Sequence, residues 1–157
     1  MLQKTRFSIV ILIFTLFLGS CQFNTVYDEF FVIEDNKWYK DNAVHFNVEI
    51  KDTASLYNFH LVLNNTTDYR YSNLFVFMTT TFPNSNMTRD TIEFVLANAS
   101  GKWLGKGWGN VKENDILLKS GLKFPLSGPY EFFIQQAMRN DTLTGIRSVG
   151  IRIEKTE

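Results

Sequence analysis

The segment Val44-His45-Phe46-Asn47-Val48-Glu49-Ile50 alternates strictly between apolar and polar side chains. A period of two predicts a β-strand with one face in a hydrophobic core and the other in solvent. The alternation recurs at 57–63, 92–96, 130–134 and 149–153, and residues 74–81 form a further run dense in aromatic and β-branched side chains. Six segments of this kind predict a protein built mainly of β-sheet.

Turn-forming clusters separate these segments, and no long amphipathic helix competes with them. Asn64–Asp68 and Pro83–Ser85 are predicted turns, and Gln135–Arg139 is predicted to form one helical turn at most. Short strands punctuated in this way are typical of an antiparallel β-sandwich. We expect an all-β fold with a single antiparallel β-sandwich over residues 30–157, and we favour a jelly-roll-like topology over an immunoglobulin-like one.

Before the predicted sandwich, the first twenty residues have the three parts of an export signal. Lys4 and Arg6 give a positive start, twelve mostly apolar residues follow at 7–18, and small residues end the segment at Ser20. Twelve apolar residues are too few to cross a bilayer core, which needs about 20 in a helix. We therefore expect residues 1–20 to be a cleaved lipoprotein signal peptide.

Cys21 is the only cysteine in the chain. An exported protein with one unpaired thiol needs a use for it, and Leu18-Gly19-Ser20-Cys21 resembles the bacterial lipobox, in which the sulfur receives a diacylglyceryl group. The alternative is an ordinary secretory signal that happens to precede a cysteine. We expect lipid attachment at Cys21. Residues 21–29 would then form the lipidated N-terminus and a short tether reaching on the order of 30 Å at ~3.5 Å per residue.

The charges of the chain are balanced and scattered. The sequence has 16 basic and 16 acidic residues; without Lys4 and Arg6 the counts become 14 and 16, a formal net charge of −2. No run of Lys or Arg could follow a phosphate backbone or hold an anionic membrane surface. We expect no nucleic-acid partner and no membrane attachment other than the lipid.

The segment from Gly101 to Gly109, named here the Gly-Trp loop, contains four glycines, two lysines and two tryptophans in nine residues. No helix is predicted after it, so a phosphate-binding loop is not expected. Either the two indole rings present flat apolar faces to a sugar or a partner protein, or both rings fold back and plug the end of the sandwich. The candidate contact residues are Lys102, Trp103, Lys106 and Trp108.

Residues suited to metal binding or catalysis are few. His45 and His60 are the only histidines and fall on the polar faces of two consecutive predicted strands, where antiparallel pairing would make them neighbours, with Glu49 as a third ligand to consider. Zinc sites use three or four ligands at recognisable spacing, which is absent, so two surface histidines are expected instead. Since no serine stands in a nucleophile-elbow context, we expect no metal, no cofactor and no enzymatic activity.

The order and spacing of several segments resemble the GldH family of gliding-motility lipoproteins from the Bacteroidetes. The resemblance covers essentially the whole chain and rests on Cys21, Trp38, Tyr57 and Leu61 and on the segments 68–76, 90–93, 101–107, 128–130, 136–139 and 143–146. It implies a lipid-anchored protein of the cell envelope that is required for gliding and is associated with the machinery that supports type IX secretion. The family is not known as an enzyme, so no catalytic residues carry over.

Three threonines resemble the O-glycan acceptor motif of exported proteins in that bacterial group, in which Asp-Thr precedes an apolar residue. Thr53, Thr91 and Thr142 fit the motif and are candidate O-glycosylation sites. The alternative is that Asp-Thr is simply favourable turn chemistry.

The sequence therefore predicts a non-catalytic structural or binding component of the gliding-motility and type IX secretion-associated machinery, held at the membrane by lipid and docking protein partners. Gln22 is not the aspartate that in some bacteria retains lipoproteins at the inner membrane, which favours the outer membrane. The alternative function is a carbohydrate-binding β-sandwich lipoprotein at the cell surface.

Overall fold

The computed structural model describes residues 24–156, so the predicted signal peptide and Cys21 lie outside the described residues. Within this range the chain forms ten β-strands and one 3₁₀ turn at Glu34–Asn36, and no helix has the length and hydropathy to span a membrane. The strands are β1 Thr25–Val32, β2 Lys37–Tyr39, β3 Val44–Ile50, β4 Tyr57–Thr66, β5 Asn73–Thr81, β6 Met87–Val95, β7 Val111–Leu122, β8 Gly128–Gln136, β9 Thr142–Thr144 and β10 Ile146–Lys155.

Two four-stranded antiparallel sheets and one two-stranded ribbon contain these strands. The first sheet has the order β1-β10-β4-β7, the second has the order β3-β8-β5-β6, and β2 pairs with β9. Counted in chain order without the ribbon, the first sheet holds strands one, eight, three and six, and the second holds strands two, seven, four and five. This order is the double Greek key of a jelly roll, so the predicted fold class and the favoured topology are confirmed.

The core lies between the two sheets and is lined by the alternating residues that the sequence pattern singled out. In β3 the burial alternates at every position from Val44 to Ile50, and Leu61, Ile134 and Ile151 are fully buried. Phe59 of the first sheet and Phe132 of the second meet with ring centroids 5.1 Å apart. Each fully buried side chain of this size contributes about 1.5–3 kcal/mol relative to an exposed one, which explains why the sheets pack face to face.

The first strand begins earlier than the predicted domain boundary at Phe30. Residues from Thr25 onward pair with β10 along the edge of the first sheet, so the second half of the predicted tether 21–29 is strand. Most β1 side chains are exposed, and an exposed edge strand has no alternating pattern to read. Only three residues then lie between Cys21 and Thr25, and the four Cα–Cα steps reach at most about 14 Å.

Two local expectations are wrong. The predicted turn Asn64–Asp68 begins too early, because β4 continues to Thr66. Asn65 is buried there, and its side-chain oxygen accepts a 2.9 Å hydrogen bond from the Asn114 amide. The turn prediction assumed that a buried asparagine would lack a partner, and this hydrogen bond supplies one.

The predicted helical turn at 135–139 is not formed, because β8 runs through Gln136. The buried Gln136 amide donates to the backbone carbonyl of Asn140 and accepts from the N–H of Met138, at 2.8 and 2.9 Å. Its side chain therefore replaces the helical backbone hydrogen bonds that the segment would otherwise need.

The strand directions give the sandwich two distinct ends. Thr25 pairs with Glu154 beside Tyr57 and Leu122 at one end, which we name the anchor end because the chain arrives there from Cys21. The opposite, distal end carries the connections 33–43, 67–72, 96–110 and 137–145. At about 3.3 Å per residue, the ten residues of β4 separate the two ends by about 33 Å.

Candidate functional site

The Gly-Trp loop connects β6 to β7 at the distal end. Its backbone is fastened on both sides: the N–H of Leu104 donates to the carbonyl of Leu96 at 2.8 Å, and Lys106 and Glu113 exchange two hydrogen bonds of 2.9 and 2.7 Å. The loop therefore follows the edge of the first sheet as a defined surface element rather than as a free excursion.

The two tryptophans of this loop have opposite environments. Trp103 forms an isolated bridge with Ala97, is half-buried and packs against the hydrophobic core. Trp108 is 98 % exposed. Each of the two sequence interpretations therefore applies to one ring. Trp103 folds back and closes the distal end of the core, whereas Trp108 presents its faces to solvent.

The turn that carries Trp108 depends on its glycine neighbours. Gly107 has a φ of 137°, and a Cβ at this position would lie 2.5 Å from the carbonyl oxygen of Val111. Only glycine accepts such a conformation without strain. The backbone chemistry at Gly107 thus positions the Trp108 ring outside the body of the domain.

Exposed apolar side chains accompany the loop. Val95, Leu104 and Leu117 are 55 %, 54 % and 49 % exposed and line one shallow pocket of about 380 Å³ beside Lys106. Sequence reasoning missed all three, because single apolar residues in strands and loops usually belong to the core. Leu117 lies opposite His60, nearer the anchor end, so we give the name distal patch to Trp108 together with Val95 and Leu104 only.

The lysines of the loop are available for charge pairing. Lys102 and Lys106 are exposed, and neither takes part in an ion pair within residues 24–156. Lys112 instead donates to the carbonyl of Gly107 at 3.3 Å and supports the turn. The same loop therefore carries two exposed lysines without an ion pair in residues 24–156 and one exposed aromatic ring.

A charge network crosses the outer face of the first sheet. Arg152 on β10 contacts Asp28 on β1 at 3.2 Å and Asp115 on β7 at 2.9 Å. The other carboxylate oxygen of Asp115 lies 2.8 Å from the Nδ1 atom of His60 on β4. All four strands of the sheet are joined by this chain of contacts. Because the groups are partly exposed, each pair contributes about 0–1 kcal/mol, and the network acts mainly to hold the register of the sheet.

The expectation that His45 and His60 could be neighbours is wrong. The chain changes sheets between β3 and β4, so β3 pairs with β8 and not with β4. The His45 ring stacks on Phe133 with centroids 4.4 Å apart and lies 3.5 Å from Glu131, while His60 binds Asp115 in the other sheet. In residues 24–156 no group of three or more His, Asp or Glu side chains could hold a metal ion.

The three candidate glycosylation sites differ in exposure. Thr91 lies exposed in the middle of β6, whereas Thr53 and Thr142 are half-buried. Next to Thr53, the Asp52 carboxylate binds Lys155 at 2.7 Å and Ser55 at 2.6 Å, and these hydrogen bonds, that of Lys155 first, hold its pKa well below the usual range. The Asp-Thr turn at 52–53 is thus part of the anchor-end structure, and glycosylation at the three sites stays a prediction.

These features define a class: a small jelly-roll protein whose chain enters at one end and whose exposed loop lies at the other. The GldH lipoprotein family model matches residues 25–153, and the chain belongs to this family. The resemblance seen in the sequence is therefore confirmed.

Two relatives align along nearly their full length. The chain is 40 % identical over 163 residues to the gliding motility lipoprotein GldH homolog of Christiangramia forsetii, covering 99 % of each chain. It is 31 % identical over 162 residues to the gliding motility lipoprotein GldH of Flavobacterium johnsoniae, covering 99 % of this chain and 100 % of that one.

Among solved structures, a chain of infectious bursal disease virus Gx strain matches at 13 % identity with a TM-score of 0.33. The match covers 82 % of this chain and 32 % of the viral one. This likeness is too weak to indicate a common fold.

Proposed function

We propose that this chain is a lipid-anchored, non-catalytic component of the gliding-motility machinery, associated with type IX secretion and facing its partner from the outer membrane. The proposal is supported by membership of the GldH lipoprotein family and by the names of the two relatives, both of which are gliding motility lipoproteins. The working surface would be the distal patch, and its action would be to dock a protein partner.

The observation that carries the proposal is the exposure of Trp108, of which 98 % faces solvent. A tryptophan that leaves the core gives up a large hydrophobic burial, and such rings are enriched among the few residues that dominate protein interfaces. Lys102 and Lys106 of the same loop are exposed and would add charge complementarity to an acidic partner surface.

The position of the patch fits an anchored docking protein. With lipid on Cys21, the anchor end stays within about 14 Å of the bilayer surface. The Gly-Trp loop lies about 33 Å from the anchor end, at the opposite end of β4, so it is free to face away from the membrane. Confining the domain to this layer raises the effective concentration of a partner in the same envelope without any catalytic group.

The test is to replace Trp108→Ala in the chromosomal gene of the source cell and to measure colony spreading and single-cell gliding. We expect gliding to be lost or strongly reduced at unchanged protein abundance, because truncating a hot-spot ring costs about 2 kcal/mol or more of binding, roughly 30-fold in affinity. The matched control is Leu56→Ala, which truncates a 47 % exposed apolar side chain at the anchor end and should leave gliding intact.

Normal gliding with Trp108→Ala would contradict the proposal. The carbohydrate-binding alternative rests on Trp108 alone, since Trp103 packs against the core. Binding of the purified protein to a glycan array that is lost in Trp108→Ala would favour that alternative over a protein partner.

A further inference from the structure

An apolar cleft opens between the two sheets on the side where β6 and β7 run. Each of these strands is the edge of its sheet, and the Gly-Trp loop joins them only at the distal end. Toward the anchor end the sandwich is therefore open along this side, and a cleft of about 430 Å³ results. It is separate from the distal patch.

The walls of the cleft are suited to a flexible hydrocarbon. Ile92 of β6 and Leu118 and Leu122 of β7 form its sides, and the rings of Phe59 and Phe132 form its floor. These side chains offer no hydrogen bonds to a sugar or a peptide, whereas an acyl chain needs none. Burying methylene groups in such a cleft is favourable in proportion to their area.

Aromatic side chains line the cleft at the anchor end. Phe124 packs edge-on against Tyr57 and Tyr130 with centroid distances of 5.3 and 4.9 Å, and Phe82 contacts Tyr130 at 5.5 Å. Phe82 and Phe124 belong to the connections of the anchor end and also line the cleft. The cleft thus extends to the end that the chain outside the structure brings to the membrane.

The short segment between Cys21 and β1 indicates that the ligand of the cleft comes from the membrane. Three residues lie between Cys21 and Thr25, and the four Cα–Cα steps give a reach of about 14 Å. Three strand spacings of about 4.8 Å separate β1 from β7 across the first sheet, again about 14 Å. If Cys21 carries lipid, the cleft mouth lies within reach of the bilayer surface, where acyl chains are abundant.

The charge at the mouth complements a phospholipid. Lys119 lines the cleft on β7 and Lys123 is exposed immediately before Phe124. Neither lysine is in an ion pair within residues 24–156. Asp90, the one carboxylate of the lining, stands on the opposite wall, on β6.

We propose that this cleft binds one acyl chain of a membrane phospholipid, with the phosphate held by Lys119 and Lys123 at the mouth. Such a contact is a second attachment, beside the lipid on Cys21. It fixes the orientation of the sandwich on the membrane, with the anchor end down and the distal patch outward. The proposal rests on the lipid anchor but not on a partner at the distal patch.

The test uses the native lipoprotein in nanodiscs of phosphatidylethanolamine and phosphatidylglycerol that contain a phospholipid with a photoreactive acyl chain. Irradiation followed by peptide mass spectrometry locates the crosslinks. We expect labelling of the peptides that carry Ile92, Leu118 and Phe124. Since only the added phospholipid carries the photoreactive group, labelling by the protein's own lipid does not interfere.

Two matched variants test the cleft directly. Leu118→Trp fills it and should lower the labelling by roughly tenfold, whereas Leu117→Trp adds the same ring at the neighbouring, 49 % exposed position and should leave the labelling unchanged. Lys119→Gln should weaken the labelling, and Lys102→Gln at the distal end should not.

Labelling confined to peptides outside the cleft in the unaltered protein would overturn the proposal. Equal loss with Leu117→Trp and Leu118→Trp would also overturn it. A failure of this test leaves the gliding defect of Trp108→Ala unaffected, so the two proposals fail separately.

Discussion

Trp38→Ala is expected to lower the free energy of unfolding by about 3–5 kcal/mol, the usual cost of removing a buried tryptophan. Trp38 is 1 % exposed, and its indole N–H donates to the carbonyl of Asn42 at 2.8 Å. The substitution leaves a large cavity beneath the ribbon of β2 and β9 and removes the partner of that carbonyl. Domains of this kind have a total stability of about 5–15 kcal/mol, so the loss is a large share of it.

The measurement is urea unfolding followed by circular dichroism. The control is Tyr39→Ala, which changes the next residue of the same strand, a side chain that is 49 % exposed. We expect this control to lie within about 0.5 kcal/mol of the unaltered protein. Equal stabilities of the two variants would mean that Trp38 is not the core residue that its burial indicates.

Gly150→Ala is expected to loosen β1 from the first sheet and to cost about 1–3 kcal/mol, the range for overpacking a filled site. Gly150 lies on β10 opposite Phe30 and Val62. A Cβ at this position would lie 2.7 Å from Cε1 of the Phe30 ring, closer still to its Cδ1, and 2.8 Å from the carbonyl oxygen of Glu29. Both contacts belong to β1, so that strand must move away.

Amide hydrogen exchange is the direct measurement, because loosening exposes the β1 amides while the central strands stay protected. The double variant Phe30→Ala with Gly150→Ala removes the ring and should recover part of the stability, though not the contact with Glu29. Unchanged protection of β1 in Gly150→Ala would show that the sheet accommodates a methyl group there, contrary to the geometry.

The strands that the sequence showed most directly have one buried face and one solvent face. In β3 and β8 every second residue is buried, so the alternation could be read directly. The edge strand β7, twelve residues long, was missed because its inner face carries Asn114 beside Ile116 and Leu118 and its outer face carries Leu117. Both faces of an edge strand are partly exposed to solvent, so polar and apolar residues occur on each face and the period of two is lost.

The short strands β2 and β9 were missed for a different reason. Three residues are too few to establish a period of two, and their pairing joins positions about a hundred residues apart in the chain. Trp38 was visible only through the family resemblance. Its burial depends on the loop 33–43 folding over the core, which no local pattern encodes.

The Gly-Trp loop stays a predicted contact site, and the sequence did not distinguish the environments of its residues. Composition alone singled out the Gly-Trp loop, while the different environments of Trp103 and Trp108 depend on two backbone bridges, at Ala97 and at Glu113. A lone sequence does not reveal such bridges. The apolar cleft escaped for the same reason, because its lining comes from five strands that meet only in the folded sandwich.

The two histidines show why the neighbours of each strand could not be predicted from the sequence. Consecutive strands are neighbours in most antiparallel proteins, and that default placed His45 beside His60. A jelly roll breaks the default between its second and third strands, which belong to different sheets. The topology could be preferred from the sequence, but the partner of each strand could not be derived from it.

We propose that the distal patch docks a protein partner while the anchor end stays at the membrane. The most direct test is a photocrosslinking amino acid placed at position 108 in the native cell, compared with the same amino acid at Leu56. We expect a discrete crosslinked protein from position 108 and none shared with position 56. Crosslinks from position 56 alone, or only lipid adducts from position 108, would contradict it.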